Sequence, residues 1–490
     1  MKLLKRLLLG VAALLVVLVA IILFRTFTFK PPVEQVTDVT LAPAPALDVV
    51  GAAARLGQAV QIKSVSHDDP AQDDKMQRQA MLDWVSATYP LSMAAMSREL
   101  VAEFTPVYTW AGGDASLAPI ILMAHQDVVP VDPATEANWT HPPFAGMVAD
   151  NAVWGRGAID DKGSLVSIFE ATEALVKSGF KPKRTIIIVN GHDEEAAQSG
   201  AKAAAATLKS RGVMAEFVLD EGLITVADFP ITKSPAALIG LAEKGYATLQ
   251  VTAKSKGGHS STPPKDTAVG TLAKAVVAIT ENQDPMRLDG PGALTVKTIA
   301  PQAGFVTKMA VANDWLFAPI LISEFSKTNA GAALLHTTTA PTMLQGSPKE
   351  NVLPQVATAT VNHRILPGDS SDAVMARSTA AIGDLDVELN FVGPTKEPSP
   401  VSSTDSRAWK ILSSLASEGG KLPVAPGLVL AATDSANMVE VTKDTYRFQP
   451  IVLTLDETST IHGVNEKLTL DNLKKMMEFY ARLIATAGAE

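Results

Sequence analysis

Between residues 117 and 222, short apolar runs alternate with helical stretches, and this alternation limits the fold more than any other feature of the chain. LAPIILMAH, RTIIIVN and AEFVLDEG read as buried strands. SLVSIFEATEALVKSG and GAKAAAATLKSRG, each closed by a glycine, read as the helices between them. Strands joined through helices run parallel. The expected unit is therefore an α/β domain whose mainly parallel sheet is covered by helices on both faces.

Two further helices are expected at 48–60 and 73–88, ahead of this unit. From Glu243 the pattern changes. YATLQVTAK, TTTAPTMLQG, QVATATVNHRI and DVELNFVG alternate like half-exposed strands, with helices in DTAVGTLAKAVVAITEN and SSDAVMARSTAAIG. That β-α-β-β-α-β order predicts an inserted α+β domain of ferredoxin-like type over 243–395. The chain then returns through GPTKEPSPVSSTD, so the larger domain comprises 48–242 and 396–490 and ends in the helix LDNLKKMMEFYARLIATA. The apolar stretch MAVANDWLFAPILISEF, inside the insert, reads as lid core or a dimer contact, with an acyl-chain channel as the alternative.

The chain begins with Lys2, Lys5 and Arg6, followed by an uncharged run from Leu7 to Phe24. At about 1.5 Å per residue the run is long enough to cross a bilayer core. Residues 1–29 are expected to form a cytoplasmic stub and signal anchor. The charge bias leaves the N-terminus in the cytoplasm and the rest of this single-pass protein outside it, in a periplasmic, lumenal or extracellular space. Residues 30–47, rich in Pro, Thr and Ala, read as a tether.

The ends of the parallel strands carry the groups with chemical potential. MAHQDVV delivers His125 and Asp127, and IIIVNGHDEE ends in His192, Asp193, Glu194 and Glu195. VLDEG adds Asp220 and Glu221, and the glycine-rich turn WGRGAIDDKG adds Asp160 and Asp161. Like charges gathered at one sheet edge destabilise it unless cations compensate them. The chain has no cysteine, so a metal must be held by imidazole and carboxylate, a donor set that suits zinc and also manganese or cobalt. Two metals sharing a carboxylate account for the number of acids better than one. A second imidazole is then needed. His462, in TSTIHGVNEKL, is a candidate, with His192 and His259 as competitors. A net charge of −9, with no basic block, argues against nucleic acid as a partner.

Taken in order, AHQDVVP, WGRGAIDDKG, GHDEE, VLDEG, GGHSSTPP, NVLPQVATATVNHRI and IHGVNEK closely resemble the co-catalytic zinc aminoacylase and carboxypeptidase family. The likeness is strongest to its carboxypeptidase S branch, which includes N-fatty-acyl-amino-acid synthase/hydrolases, and it runs from about residue 48 to the C-terminus. The resemblance implies two zinc ions, one on His125, Asp160 and Asp220 and the other on Asp160, Glu195 and His462. Asp127 would orient His125, and Glu194 would be the general base. His259, Asn351 and Arg364 would hold the substrate, with His259 often serving a neighbouring subunit, which implies a homodimer. The implied reaction is hydrolysis, and in reverse formation, of the amide bond of N-acyl amino acids. Cleavage of small peptides is the alternative substrate class. A membrane-tethered binding protein without catalysis is the reading from a different class, and the full ligand set speaks against it. Ala436 departs from the pattern, standing where close relatives carry Arg.

Overall fold

The computed structural model describes residues 2–36 and 39–489; Met1, Glu490, and Thr37 and Asp38 of the expected tether lie outside the described residues. In chain order, the strands that matter for the site are β1 (Ser97–Val101), β2 (Thr105–Trp110), β3 (Ile120–His125), β4 (Ile186–Gly191), β5 (Phe217–Phe229), β6 (Ser234–Glu243), β7 (Gly245–Lys254), β8 (Thr338–Gln345), β9 (Val356–Ile365), β10 (Val387–Phe391), β11 (Val424–Val429) and β12 (Thr445–Leu453). The helices are α1 (Lys2–Thr28), α2 (Val49–Gln61), α3 (Lys162–Lys177), α4 (Ser199–Ser210), α5 (Ala268–Glu281), α6 (Gly290–Ile299), α7 (Phe305–Ala312), α8 (Asp314–Phe325), α9 (Ser371–Ile382) and α10 (Leu470–Gly488).

The eight-stranded sheet has the order β1-β2-β4-β3-β5-β12-β6-β11. Its centre is parallel, as the β/α alternation requires, with β3 between β4 and β5, and β5 beside β12. Side chains alternate across it. Ile120, Leu122 and Ala124 enter the core built with α2, α3 and α10, while Ile121 and Met123 face α4. The sheet as a whole is mixed rather than mainly parallel. β1 and β2 form a hairpin that adds an antiparallel edge, and β6 turns straight back along β5. Connections this short cannot make the crossover that a parallel pair needs.

A second, four-stranded antiparallel sheet has the order β8-β9-β7-β10. Leu249, Val251 and Ala253 of β7 and Ala357, Ala359 and Val361 of β9 pack under α5 and α9, leaving the opposite face half-open. Between α5 and β8 the chain makes helices that the strand pattern did not anticipate. α6 leaves the small sheet and packs on the edge of the large one, through Ile299 against Ala236 and Ala425 and through Thr295 Oγ1, which donates to Pro426 O at 2.6 Å.

The expected tether also differs. Val33 is buried, Val36, Val39 and Leu41 pack on the main core, and Gln35 exchanges two 2.8 Å hydrogen bonds with the backbone of Val424. The segment is extended but strapped to the body. Among the described residues, α1 is the one helix long and apolar enough to cross a membrane.

His363 lies on the covered face of β9. Its Nδ1 is 3.2 Å from Thr339 Oγ1, and its Nε2 is buried without a partner. Burial, reinforced by Arg377, pushes its pKa down to about 4. The unfolded imidazole titrates near 6.5, so between these values the unfolded chain holds a proton that the folded chain does not. Stability is then full above pH 6.5 and falls as pH drops towards 4, by up to about 3 kcal/mol. The His363→Leu variant should lose Tm less steeply than the parent over that range. Parallel slopes would show that His363 does not contribute.

Candidate metal centre

The carboxyl ends of β3 and β4 meet at one edge beside Asp220 and Glu221, within the longer β5, where the crevice of an open α/β sheet forms. His125 closes β3. Its Nδ1 is 3.0 Å from Asp127 O and 3.4 Å from Asp127 Oδ1, and its Nε2 is 2.9 Å from Asp160 Oδ1. The other Asp160 oxygen, Oδ2, lies 3.0 Å from His462 Nε2, which is also 3.1 Å from Glu195 Oε1. Asp160 thus stands between two imidazoles that are far apart in sequence, and the Asp160–Asp161 peptide is cis. Burial opposes ionisation of Asp160, yet the two imidazoles hold its carboxyl well below the usual range. His462 responds in the opposite sense: hydrogen bonds to Asp160 and Glu195 raise its pKa to about 10.

Asp127 joins the imidazole to the glutamates. Its oxygens accept the backbone N–H groups of Glu194 and Glu195 at 3.1 and 3.2 Å while its carboxylate backs His125. Close approach at this strand end requires Gly191, because a Cβ there would stand 1.8 Å from Asp434 Oδ2. Glu194 Oε1 accepts from Gln198 Nε2 at 3.0 Å, and Gln198 Oε1 in turn accepts from Lys396 Nζ at 2.6 Å. Burial raises the Glu194 carboxyl well above its usual value, against the pull of His125. Asp193 has a local task. Its oxygens accept from Ser199 N and Gly200 N at 2.8 and 2.9 Å, capping α4.

At VLDEG the geometry favours the neighbour of the expected ligand. Asp220 Oδ1 accepts from Glu221 N at 3.0 Å and its Oδ2 from Ser435 N at 2.9 Å. Successive residues of a strand point to opposite sides, so Glu221 is the one turned inward, with Oε1 3.8 Å from His125 Nε2. Two overlapping groups then have ligand atoms close enough for an ion: His125, Asp160 and Glu195, and His125, Glu194 and Glu221.

Among the described residues, the hydrogen bonds of His259, Asn351 and Arg364 do not reach this cluster. His259 is exposed, with Nδ1 2.7 Å from Ser261 Oγ; Asn351 Oδ1 is buried without a partner; the Arg364 guanidinium lies 4.8 Å from the centre of the Tyr246 ring.

Sequence reasoning passed over the groups that hold the loops. Glu466, fully buried, accepts from Ile159 N, Asp160 N and Arg156 Nη1, and Arg156 Nη2 donates to the carbonyls of His462 and Gly463 at 2.9 and 3.0 Å. One ion pair thereby ties the loop of Asp160 to the loop of His462. Both residues stand inside motifs quoted above, but their pairing spans too much chain to be read from spacing. Asp434 was also missed. Both of its oxygens are buried without partners, and burial together with Asp220 raises its pKa well above the usual value.

The donors fit a pair of divalent cations. They are imidazole and carboxylate, Asp160 turns one oxygen to each of His125 and His462, and the surplus of buried acid is the charge that cations would compensate.

The comparisons agree in kind. The model of peptidase family M20/M25/M40 matches residues 121–486. Probable carboxypeptidase S-like 2 of Dictyostelium discoideum is 34% identical over 481 residues, covering 96% of this chain and 92% of the relative. N-fatty-acyl-amino acid synthase/hydrolase PM20D1 of Xenopus tropicalis is 35% identical over 491 residues, covering 97% and 94%. Among solved structures, the M20 family metallo-carboxypeptidase Sso-CP2 from Sulfolobus solfataricus shares the fold, with a TM-score of 0.62 at 16% identity, covering 88% of this chain and 98% of that one.

Proposed function

The chain belongs to peptidase family M20/M25/M40 and is a metallohydrolase, and we propose that it cleaves the amide bond of N-acyl amino acids, including N-fatty-acyl amino acids, from a membrane anchor. The observation that carries this reading is the placement of Asp160, whose two oxygens face His125 and His462 separately.

Two zinc ions are the proposed cofactor, with manganese or cobalt as substitutes. His125, Asp160 and Glu221 would hold one, and Asp160, Glu195 and His462 the other. When bound, the pair supplies Lewis acidity towards the amide carbonyl and a water acidic enough to be a nucleophile near neutral pH. Glu194 takes the proton of the attacking water. It then passes that proton to the leaving amine. Gln198 and Lys396 fix the Glu194 side chain, and Asp127 fixes the His125 ring in the tautomer that leaves Nε2 free.

The substrate groups belong to the inserted segment that carries the small sheet, which we read as the lid and dimerisation domain over 243–395, hinged to the catalytic domain of 48–242 and 396–490. On closure Arg364 would pair with the substrate carboxylate and Asn351 with its backbone, and His259 would donate to the developing oxyanion, from a neighbouring subunit in a homodimer. The relative named for N-fatty-acyl-amino acid synthesis and hydrolysis supports acyl substrates, as does α1. Because amide hydrolysis is reversible, condensation is expected when acid and amino acid are both abundant. In this reading the N-terminus is cytoplasmic and the enzyme domain lies outside the cytoplasm.

A hydrolysis panel of N-acyl amino acids of graded chain length and of dipeptides, run with added zinc, tests the substrate. Release of fatty acid from long-chain N-acyl amino acids is expected. Dipeptide cleavage alone would transfer the enzyme to the peptidases named among its relatives.

A further inference from the structure

The apolar N-terminal helix is built into the body that it carries. Asn313, fully buried, joins α7 to α8, and its Nδ2 donates to Ile22 O and to Thr26 Oγ1, both at 3.2 Å. Arg25 Nε donates to Ala312 O at 3.2 Å, and the rings of Phe27 and Phe305 lie 6.0 Å apart. Phe29 packs on the small core of Val296, Ala300, Val311 and Leu321. The helix pair α7–α8 is therefore fixed to the end of α1 nearest the enzyme body.

Much of the remaining surface of that pair is apolar and uncovered, with Lys308 on α7 as its one basic residue. Val306 is 70% exposed, Ile320 56%, Trp315 54% and Phe305 51%, while α8 buries only Leu321. The acids of α8 stand near its two ends, Asp314 paired with Lys297 and Glu324 with Lys327, so the helix is uncharged from Trp315 to Ser323. A soluble surface seldom keeps a contiguous patch of this kind. This one continues directly into the apolar surface of α1, none of whose spanning stretch is buried.

We propose that α7–α8 is a second membrane element, lying in the headgroup boundary of the same bilayer that α1 crosses and holding the body of the enzyme against the lipid surface. The partner is the bilayer itself. Continuity with α1 selects it, and Trp315 has the amphipathic ring favoured at that depth. The proposal rests on the reading of α1 as a membrane span.

The native chain has no cysteine, so single probes can be placed in the full-length protein. Val306→Cys and Ile320→Cys would carry an environment-sensitive fluorophore in phosphatidylcholine nanodiscs, with and without lipid bearing a nitroxide just below the headgroup. Val17→Cys on α1 and Val356→Cys on β9, both exposed, serve as controls. Probes at 306 and 320 should be blue-shifted and quenched about twofold or more, with 17 quenched and 356 unaffected. Unquenched probes at 306 and 320 beside a quenched probe at 17 would overturn the proposal and leave the anchor standing. An unquenched probe at 17 would overturn both. Unlabelled Ile320→Cys cross-linking between copies, with no lipid quenching of its labelled form, would assign the face to a second copy of the chain and also overturn the proposal.

Discussion

Replacing Glu194 by Gln is expected to lower kcat by about 10³-fold, within the range that a positioned general base contributes. Gln has nearly the shape of Glu and can still bond Gln198, so the loop around Asp127 should stay in place. The metal content separates two roles for Glu194, because its carboxylate also lies within ion-binding reach of His125 and Glu221. As a base, Glu194 can be neutralised with two zinc ions retained and little change in KM. If Glu194→Gln lost an ion along with activity, Glu194 would be a ligand. If it turned over at the parent rate, Glu194 would have no part in the chemistry.

The second large effect concerns neighbouring acids on β5. Glu221→Gln should remove one zinc per chain and cost at least the ~100-fold in activity that even an outer-shell partner can cost. Asp220→Asn should retain both ions, since the Asp220 oxygens are occupied by the backbone N–H groups of Glu221 and Ser435. Metal analysis of the two purified variants decides between them. Loss of an ion from Asp220→Asn, with both kept in Glu221→Gln, would restore the assignment expected from the sequence.

The choice between Asp220 and Glu221 shows what could be read in advance and what could not. The β/α alternation brings His125, Glu194 and Glu195 to one edge because parallel strands joined by helices share a carboxyl end. Which of two adjacent acids turns inward depends on the register of the strand that carries them, and in VLDEG both are chemically suitable. Spacing also could not reveal that Arg156 and Glu466 are locked together, or that Asp434 would be buried against Gly191. Two strands of the large sheet were not anticipated, for local reasons: VAPGLV carries Pro and Gly, and PAALIGLAE lacks the alternation of a half-exposed strand. The small sheet was plain in its alternating residues. The packing of α6 on the larger sheet, and of the valines at 33, 36 and 39 on the main core, depends on tertiary contacts that no periodicity announces.

The central claim is that the cluster around Asp160 holds two zinc ions and that these ions with Glu194 hydrolyse an N-acyl amide. The most direct test is metal analysis of the full-length protein, with hydrolysis of a long-chain N-acyl amino acid followed through chelation and zinc return. The account predicts about two zinc per chain, loss of fatty-acid release as zinc is removed, and its recovery as zinc is restored. Full activity in chelated protein that holds no metal would contradict it.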